Sequence, residues 1–321
     1  MLVVTALGGS ALTRRGETLT AEGQRAYIRR IAASLGSLAA GRQLVITHGN
    51  GPQMGNLALQ SAAGAKVEAY PLEVRGAKTE AMVGYMLRQE LANLLPFDRP
   101  VATLLAMAEV DGHDPALRNP TTWIGPMYLR DEAERMSASK GWVFRPDGDK
   151  WRRVVASPEP TRIFELPTIK WLLRRDTVVI VEGGGGIPVI CENNGSTRLL
   201  NSVECVIDSD LAAQVLARGL GADMFVLLTD TDAVYMNTER AGCNAIRRAS
   251  PEALRGLIFG TPAMTSKVAA ACRFAAATGK PAAIGAIDDL ELLLSGKAGT
   301  TVSVVESGIT YAAAPMSRAT A

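Results

Sequence analysis

The chain has 321 residues, 47% of them hydrophobic and 21% charged, with a formal net charge of +2. Such a balance excludes a disordered polymer and offers no polyanion-binding surface, so the expected partner is a small molecule and not a nucleic acid. No apolar run reaches the ~18 residues of a membrane span and no basic leader opens the chain, so the expectation is a cytoplasmic protein with no membrane partner.

Leu2 to Ala6 is a short apolar strand that runs into Gly8-Gly9-Ser10, where Ser10 can bond an anion or simply cap the turn. Thr20 fits an N-cap, with Ile28, Ile31, Ala32, Leu35 and Leu38 on one face of the helix that follows. Gln43 to Thr47 is the next strand. It closes in His48-Gly49-Asn50-Gly51-Pro52, with Pro52 suited to the first turn of a helix running through Leu59. Thr79 to Leu95 reads as a helix with an imperfect apolar face of Met82, Tyr85, Met86, Leu91 and Leu94, and Val101 to Met107 as a third strand. This alternation predicts a mostly parallel sheet covered on both faces, with ligands at the carboxyl ends of its strands.

Between about residues 111 and 157 the pattern changes to turns, three tryptophans and a short helix-like segment near Asp131 to Lys140. It reads as a lid subdomain inserted into a single domain spanning 1–321, the alternative being a surface excursion. Regular order resumes with a helix near Ile163 to Arg175 and a strand from Val178 into Gly183-Gly184-Gly185-Gly186-Ile187-Pro188. Four glycines remove every Cβ, allow positive φ and let backbone N–H groups approach an anion; a flexible surface turn is the competing reading. Asn193-Asn194-Gly195 signals a hairpin before a strand at Val203 to Ile207, and Asp208 an N-cap with Asp210 in the helix's first turn. Met224 to Leu228 is a strand leading to Thr229-Asp230-Thr231-Asp232-Ala233-Val234-Tyr235, whose acids can hold a metal or a ribose or merely form a turn. Helices at Pro251 to Leu257 and Ser266 to Ala277, a strand at Pro281 to Gly285, a short helix at Asp288 to Leu294 and a strand at Thr300 to Val304 follow. A loose tail is expected from about Ser307.

Cys191, Cys205, Cys243 and Cys272 form no C-x-x-C pair, and His48 and His113 are the chain's two histidines. No structural zinc site is therefore expected, and the thiols read as small buried or semi-buried groups. Neither a G-x-G-x-x-G nor a G-x-x-x-x-G-K-[ST] motif occurs at the glycine run, since Pro188 and Val189 stand where the dinucleotide fingerprint needs glycine. Phosphates would instead be held by separate turns at Gly8-Gly9, Gly49 to Gly51 and Gly183 to Gly186.

ALGGSAL, VITHGNGPQMG, EVD with NPT, GGGGIPV, VIDSDLA, LTDTDAVY and the Lys267 segment, in order over nearly the whole chain, resemble carbamate kinase of the amino acid kinase superfamily. The resemblance implies a three-layer αβα sandwich with a mainly parallel eight-stranded sheet, usually dimeric, and reversible phosphoryl transfer between carbamoyl phosphate and ADP with magnesium. It implies that Gly8, Gly9, Ser10, Gly49, Asn50, Gly51, Gly183 and Gly184 line the phosphate and carbamate path. Thr229, Asp230, Asp232 and Tyr235 would lie on the nucleotide side, with Asp210 orienting cations and Lys267 clamping the transferred phosphoryl. The family's lid lysine is Thr122 here and a lysine of its phosphoryl clamp is Ser209; Arg75 and Lys78 could supply a replacement cation or simply be solvated helix-end residues. Two further readings stay open: a small-molecule-binding or regulatory homologue, and carbamoyl or amide chemistry without nucleotide.

Overall fold

The computed structural model of the chain describes residues 1–12, 20–63, 70–181, 183–195, 197–236 and 245–312. Leu2–Leu7 (β1) and Gln43–His48 (β2) lie parallel at the centre, Val3 opposite Leu44 and Leu7 opposite His48. Between them runs Ala21–Ala39 (α1), whose N-cap Thr20 accepts from the Gly23 amide at 3.1 Å and whose five expected apolar residues are all buried. Gly51–Ala63 (α2) springs directly from the β2 turn, and Leu72–Ala92 (α3) packs on the same side as α1.

The α3 helix starts seven residues before the expected position and turns a different face inward. Met86 and Leu91 are buried with Val83 and Leu87, whereas Met82, Tyr85 and the following Leu94 are exposed, because the helix must seat on both α1 and the sheet. The strand expected at Val101 to Met107 divides. Val101–Thr103 (β3) stays in the main sheet, while Met107–Val110 (β4) enters a second one; the break falls at Ala106, whose amide is taken by Glu80 at 3.2 Å.

Residues 111–157 form Thr122–Tyr128 (β5), Arg130–Lys140 (α4), Val143–Asp147 (β6) and Lys150–Val155 (β7), the strands making a separate antiparallel sheet in the order β5-β7-β6. The helix expected near Ile163 is preceded by a strand, Pro160–Ile163 (β8), and is confined to Leu166–Leu173 (α5), where Pro167 suits a first turn. Val178–Ile180 (β9) ends in a 3-10 turn at Gly183–Gly185 and the chain crosses to Ile187–Asn194 (β10). The hairpin partner is Thr197–Ser202 (β11), not Val203 to Ile207, since Asn194 already pairs with Thr197.

Asp208 caps Ser209–Leu220 (α6), accepting from the Asp210 and Leu211 amides at 2.9 and 3.1 Å. Met224–Thr229 (β12), Val234–Tyr235 (β13) and Ala245–Ala249 (β14) follow, then Pro251–Leu254 (α7), Pro262–Thr278 (α8), Ala282–Ala286 (β15), Leu290–Leu294 (α9) and Thr300–Val302 (β16). The segment expected to be a loose tail contributes Ile309–Tyr311 (β17), which pairs antiparallel with β14. Cys243 lies outside the described residues.

The main sheet runs β13-β14-β16-β15-β12-β1-β2-β9-β3 with β17 on β14, ten strands where the resemblance implied eight. The central strands are parallel; the surplus comes from short antiparallel pairings at the β14 edge. Alternate residues of the same strands feed two cores: Val4, Ala6 and Phe225 pack with α6 and α8, whereas Val3, Leu7 and Val226 pack with α1 and α3. That is a three-layer αβα sandwich, and its continuous apolar strands follow from burial on both faces.

Gly84 marks the closest approach of α3 to this sheet: a Cβ there would lie 2.5 Å from the Thr103 Cγ2, while Thr103 is held by its hydroxyl bond to the Gly84 carbonyl at 3.2 Å. Alanine gains up to about 1 kcal/mol in helix propensity, but overpacking against a fixed β-branched side chain costs about 1–3 kcal/mol. Gly84→Ala should therefore lower stability in urea unfolding; an unchanged or higher midpoint would contradict this packing.

Candidate active site

The carboxyl ends of β1, β2, β9 and β12 bring three glycine turns together. The Gly8 amide donates to the Leu228 carbonyl at 2.9 Å and the Gly49 amide to the Leu7 carbonyl at 2.7 Å, so each turn is tied to a neighbouring strand. A Cβ on Gly49 would sit 2.7 Å from the Gly9 nitrogen, which leaves the two turns in backbone contact. Gly184 and Gly185 have φ of +71° and +95°; a Cβ on the first would strike the Asn50 side chain and on the second the Ile207 carbonyl oxygen at 2.6 Å. These glycines are a packed, left-handed turn and not a flexible linker.

Two residues that sequence reasoning did not single out hold this turn. Buried Glu80 on α3 accepts from the Gly183 amide at 2.9 Å and from Ala106 at 3.2 Å. Buried His48 has its Nδ1 3.0 Å from the Gly49 carbonyl oxygen, which accepts from it, and its ring abuts Gly183. Burial pushes the His48 imidazole down to about 4, against the opposing pull of that carbonyl. Asn50 donates to the Thr79 hydroxyl at 2.8 Å, which donates in turn to the Gly76 carbonyl at 2.8 Å. A glutamate inside a helix has no sequence signal for such a role.

Lys267 on α8 and Asp210 on α6 form a buried ion pair, the ammonium 2.8 and 2.9 Å from the two carboxylate oxygens. Burial raises the Asp210 carboxyl, and the Lys267 charge and hydrogen bonds oppose that rise. The ammonium lies over Gly8, 2.7 Å from where a Cβ would stand. Ser209 is the first residue of α6, and Ser266 donates to the capping Asp208 at 2.6 Å, binding α8 to the same helix start.

Two clefts of about 490 and 460 Å³ meet here and share Gly9, Asp208, Ser209 and Ala263 in their walls. Thr229, Asp230, Tyr235, Phe259 and Lys267 face the first. Gly49, Asn50, Gly51, Thr122, Arg152 and Gly184 face the second. Gly8 and Gly183 are buried behind these walls, and only the backbone of Ser10 is placed, in a 3-10 turn. Asp232 is absent from both walls; it accepts from the Tyr235 hydroxyl at 2.9 Å. Lys78 is exposed and stacks over the Tyr70 ring at 3.6 Å. Arg75 is not the solvated helix-end residue that its neighbours suggested: it is buried, away from both clefts, because α3 begins before it and turns it inward. Among the described residues, the cation that does face the second cleft is Arg152, whose Nε donates to the Gly125 carbonyl at 3.0 Å.

The amino acid kinase family pattern matches residues 1–286. A carbamate kinase of Rhizobium meliloti (strain 1021) is 51% identical over 311 residues, covering 97% of this chain and 96% of that protein. The chain belongs to the amino acid kinase family. Within it, the carbamate kinase of Escherichia coli (strain K12) is 45% identical over 94% of this chain and 99% of its own. A solved carbamate kinase from Giardia lamblia, bound to AMP-PNP, superposes with a TM-score of 0.87 at 34% identity, over 94% of this chain and 98% of that one. These relatives make the family member described here a carbamate-kinase-like phosphotransferase.

His48 ties the turn to pH. Below the ordinary imidazole value of 6.5 the unfolded chain takes up a proton that the folded chain refuses until about 4, so stability present above pH 6.5 is lost as pH falls through that window. The loss is about 3 kcal/mol at one pKa unit per 1.36 kcal/mol. Asn retains a donor near the Nδ1 position, so the wild-type stability should fall more steeply than that of His48→Asn between pH 7.5 and 4.5 in denaturant titrations. Parallel pH profiles would contradict this.

Proposed function

We propose that the two clefts hold the two halves of one reaction: a nucleoside diphosphate in the first and carbamoyl phosphate in the second, with the phosphoryl group passing over their shared wall. The observation that carries this reading is the Lys267–Asp210 pair lying over Gly8 beside that wall. In the transfer, a β-phosphate oxygen of ADP forms the new P–O bond and the P–O bond to the carbamoyl group breaks, leaving carbamate with the electron pair. Such a reaction needs little covalent help; it needs donors and cations around the three equatorial oxygens.

In this reading Lys267 clamps the transferred phosphoryl group, and Asp210 aims the ammonium and neutralises it before substrate arrives. Ser209 offers its amide and hydroxyl at the positive end of α6. The turns of Gly8, Gly9, Ser10, Gly49, Asn50, Gly51, Gly183 and Gly184 shape the phosphate and carbamate path, and Thr229, Asp230 and Tyr235 receive the nucleotide, with Asp232 positioning the Tyr235 hydroxyl. Thr122 and Arg152 approach from the sheet of residues 111–157, which acts as a lid. Where the resemblance expects a lid lysine, Thr122 contributes only a hydroxyl, and Arg152 contributes the charge.

Among the described residues no group of three or more histidine, cysteine or acidic side chains could hold a metal ion. Magnesium would then be carried on the nucleotide's phosphates, beside the Asp208 and Asp230 carboxylates in the wall of the first cleft, where it would neutralise phosphate charge. Cys205 and Cys272 are free thiols, which fits a reducing, cytoplasmic setting, and no helix among the described residues is long and apolar enough to cross a membrane.

In a coupled assay of ATP formation from carbamoyl phosphate and ADP, Lys267→Ala should lose on the order of 10²–10³ in kcat, the usual effect of removing one preorganised donor. Arg152→Met should act mainly on the KM for carbamoyl phosphate. Wild-type turnover no greater than that of Lys267→Ala would end this proposal. The reading includes a homodimer, supported by exposed Met82 and Tyr85 on α3 and a fully exposed Phe97 just beyond it. Light scattering should give about twice the chain mass of 33.9 kDa, and a monomer mass at working concentration would reject it.

A further inference from the structure

Arg75 retains 8% of its surface, yet among the described residues its guanidinium has no hydrogen bond or ion pair. A buried cation with five N–H donors and no acceptor is strongly unfavourable unless something else satisfies it. A second cation makes matters worse. Arg153 on β7 is 6% exposed, stacks on Trp142 at 3.9 Å and gives one nitrogen to Glu204 at 2.7 Å, while its Nε has no partner. Burial, and then the Arg153 charge, press Arg75 toward its neutral form.

Both arginines line one small cavity of about 80 Å³, together with Lys140 at the end of α4 and Tyr128 on β5; its remaining walls are largely apolar, with Ile124, Pro126 and Met136 among them. Two buried guanidinium groups and the exposed Lys140 therefore face one partly open cavity, and the carboxylate that contacts Arg153, Glu204, is half-exposed. Guanidinium forks match the geometry of tetrahedral oxyanions, which supply several acceptors and up to two negative charges in a volume of this order.

We propose that this cavity is a second anion site, for a small oxyanion of the phosphate class, held between Arg75 and Arg153 with Lys140 and the Tyr128 hydroxyl as further donors. It is separate from the two reaction clefts but backs onto the second through Ile124 and Gly125. An anion there ties α3 to β5, α4 and β7, the elements that carry Thr122 and Arg152. Occupancy thus stiffens the lid wall of the carbamoyl phosphate cleft and links free phosphate to substrate affinity.

The test is thermal unfolding of the full chain with inorganic phosphate titrated against chloride at constant ionic strength. It is run in the Lys267→Ala background, where the ammonium of the reaction site is gone, with and without Arg75→Met. Phosphate is expected to raise Tm saturably in Lys267→Ala, and that response should be lost on adding Arg75→Met. In phosphate-free buffer Arg75→Met alone should melt above wild type, because an apolar side chain of similar length replaces an unpaired buried charge. Arg75→Gln is the second variant and should lose the same response. An equal phosphate response with and without Arg75, or a phosphate-free Tm of Arg75→Met below wild type, would overturn the proposal. Neither result depends on catalytic turnover.

Discussion

The buried contact between Lys267 and Asp210 is the constraint from which the rest of the site follows. It joins α6 to α8 across the end of β1, and it is possible only because Gly8 has no side chain beneath the ammonium. Two charges removed from water gain little net stability from each other, but removing either partner leaves the other buried and unpaired at a cost of about 3–5 kcal/mol. Its value is geometric. A lysine tail is a flexible four-carbon stem, and Asp210 fixes where its charge stands.

The same logic governs the glycine turns. At Gly49 and Gly183 the missing Cβ is occupied by another backbone or by a buried ring, so the turns are locked together by contact and by Glu80, not left free. A donor array that is already aligned needs no reorganisation when charge moves, which is the physical basis of electrostatic catalysis in a closed cleft. His48 is the companion of that rigidity. It is neutral because it is buried, and its neutrality keeps a second cation away from the turn that Glu80 holds.

Charge on the side of residues 111–157 is organised differently. Thr122 and Ser209 stand where the resemblance expects lysines, and the sheet of β5, β6 and β7 brings Arg152 to the same cleft from an adjacent strand. A planar guanidinium held by its bond to the Gly125 carbonyl and by the Asp147 carboxylate 3.7 Å away stands in a fixed plane, whereas a lysine would approach as a mobile point charge. Buried Arg75 on α3 and Arg153 on β7 itself meet at the small cavity beside Ile124 and Gly125.

The sequence by itself determined what depends on neighbours along the chain. The β-branched runs of β1, β2, β9 and β12, the caps at Thr20 and Asp208, and the strand-to-glycine punctuation at Gly8, Gly49 and Gly183 act within a few residues, and together they specified a parallel sheet with a site at its carboxyl edge. Lys267 and Asp210 were legible as partners only through the family resemblance. Tertiary structure alone decided that Glu80 would grip Gly183 from 103 positions away and split the strand at Ala106, that Arg75 would turn inward, and that Arg152 would face the second cleft. The physical reason is the same in each case: burial and pairing of a polar group depend on what the fold places beside it, and no local pattern of residue types records a partner fixed only when distant segments pack.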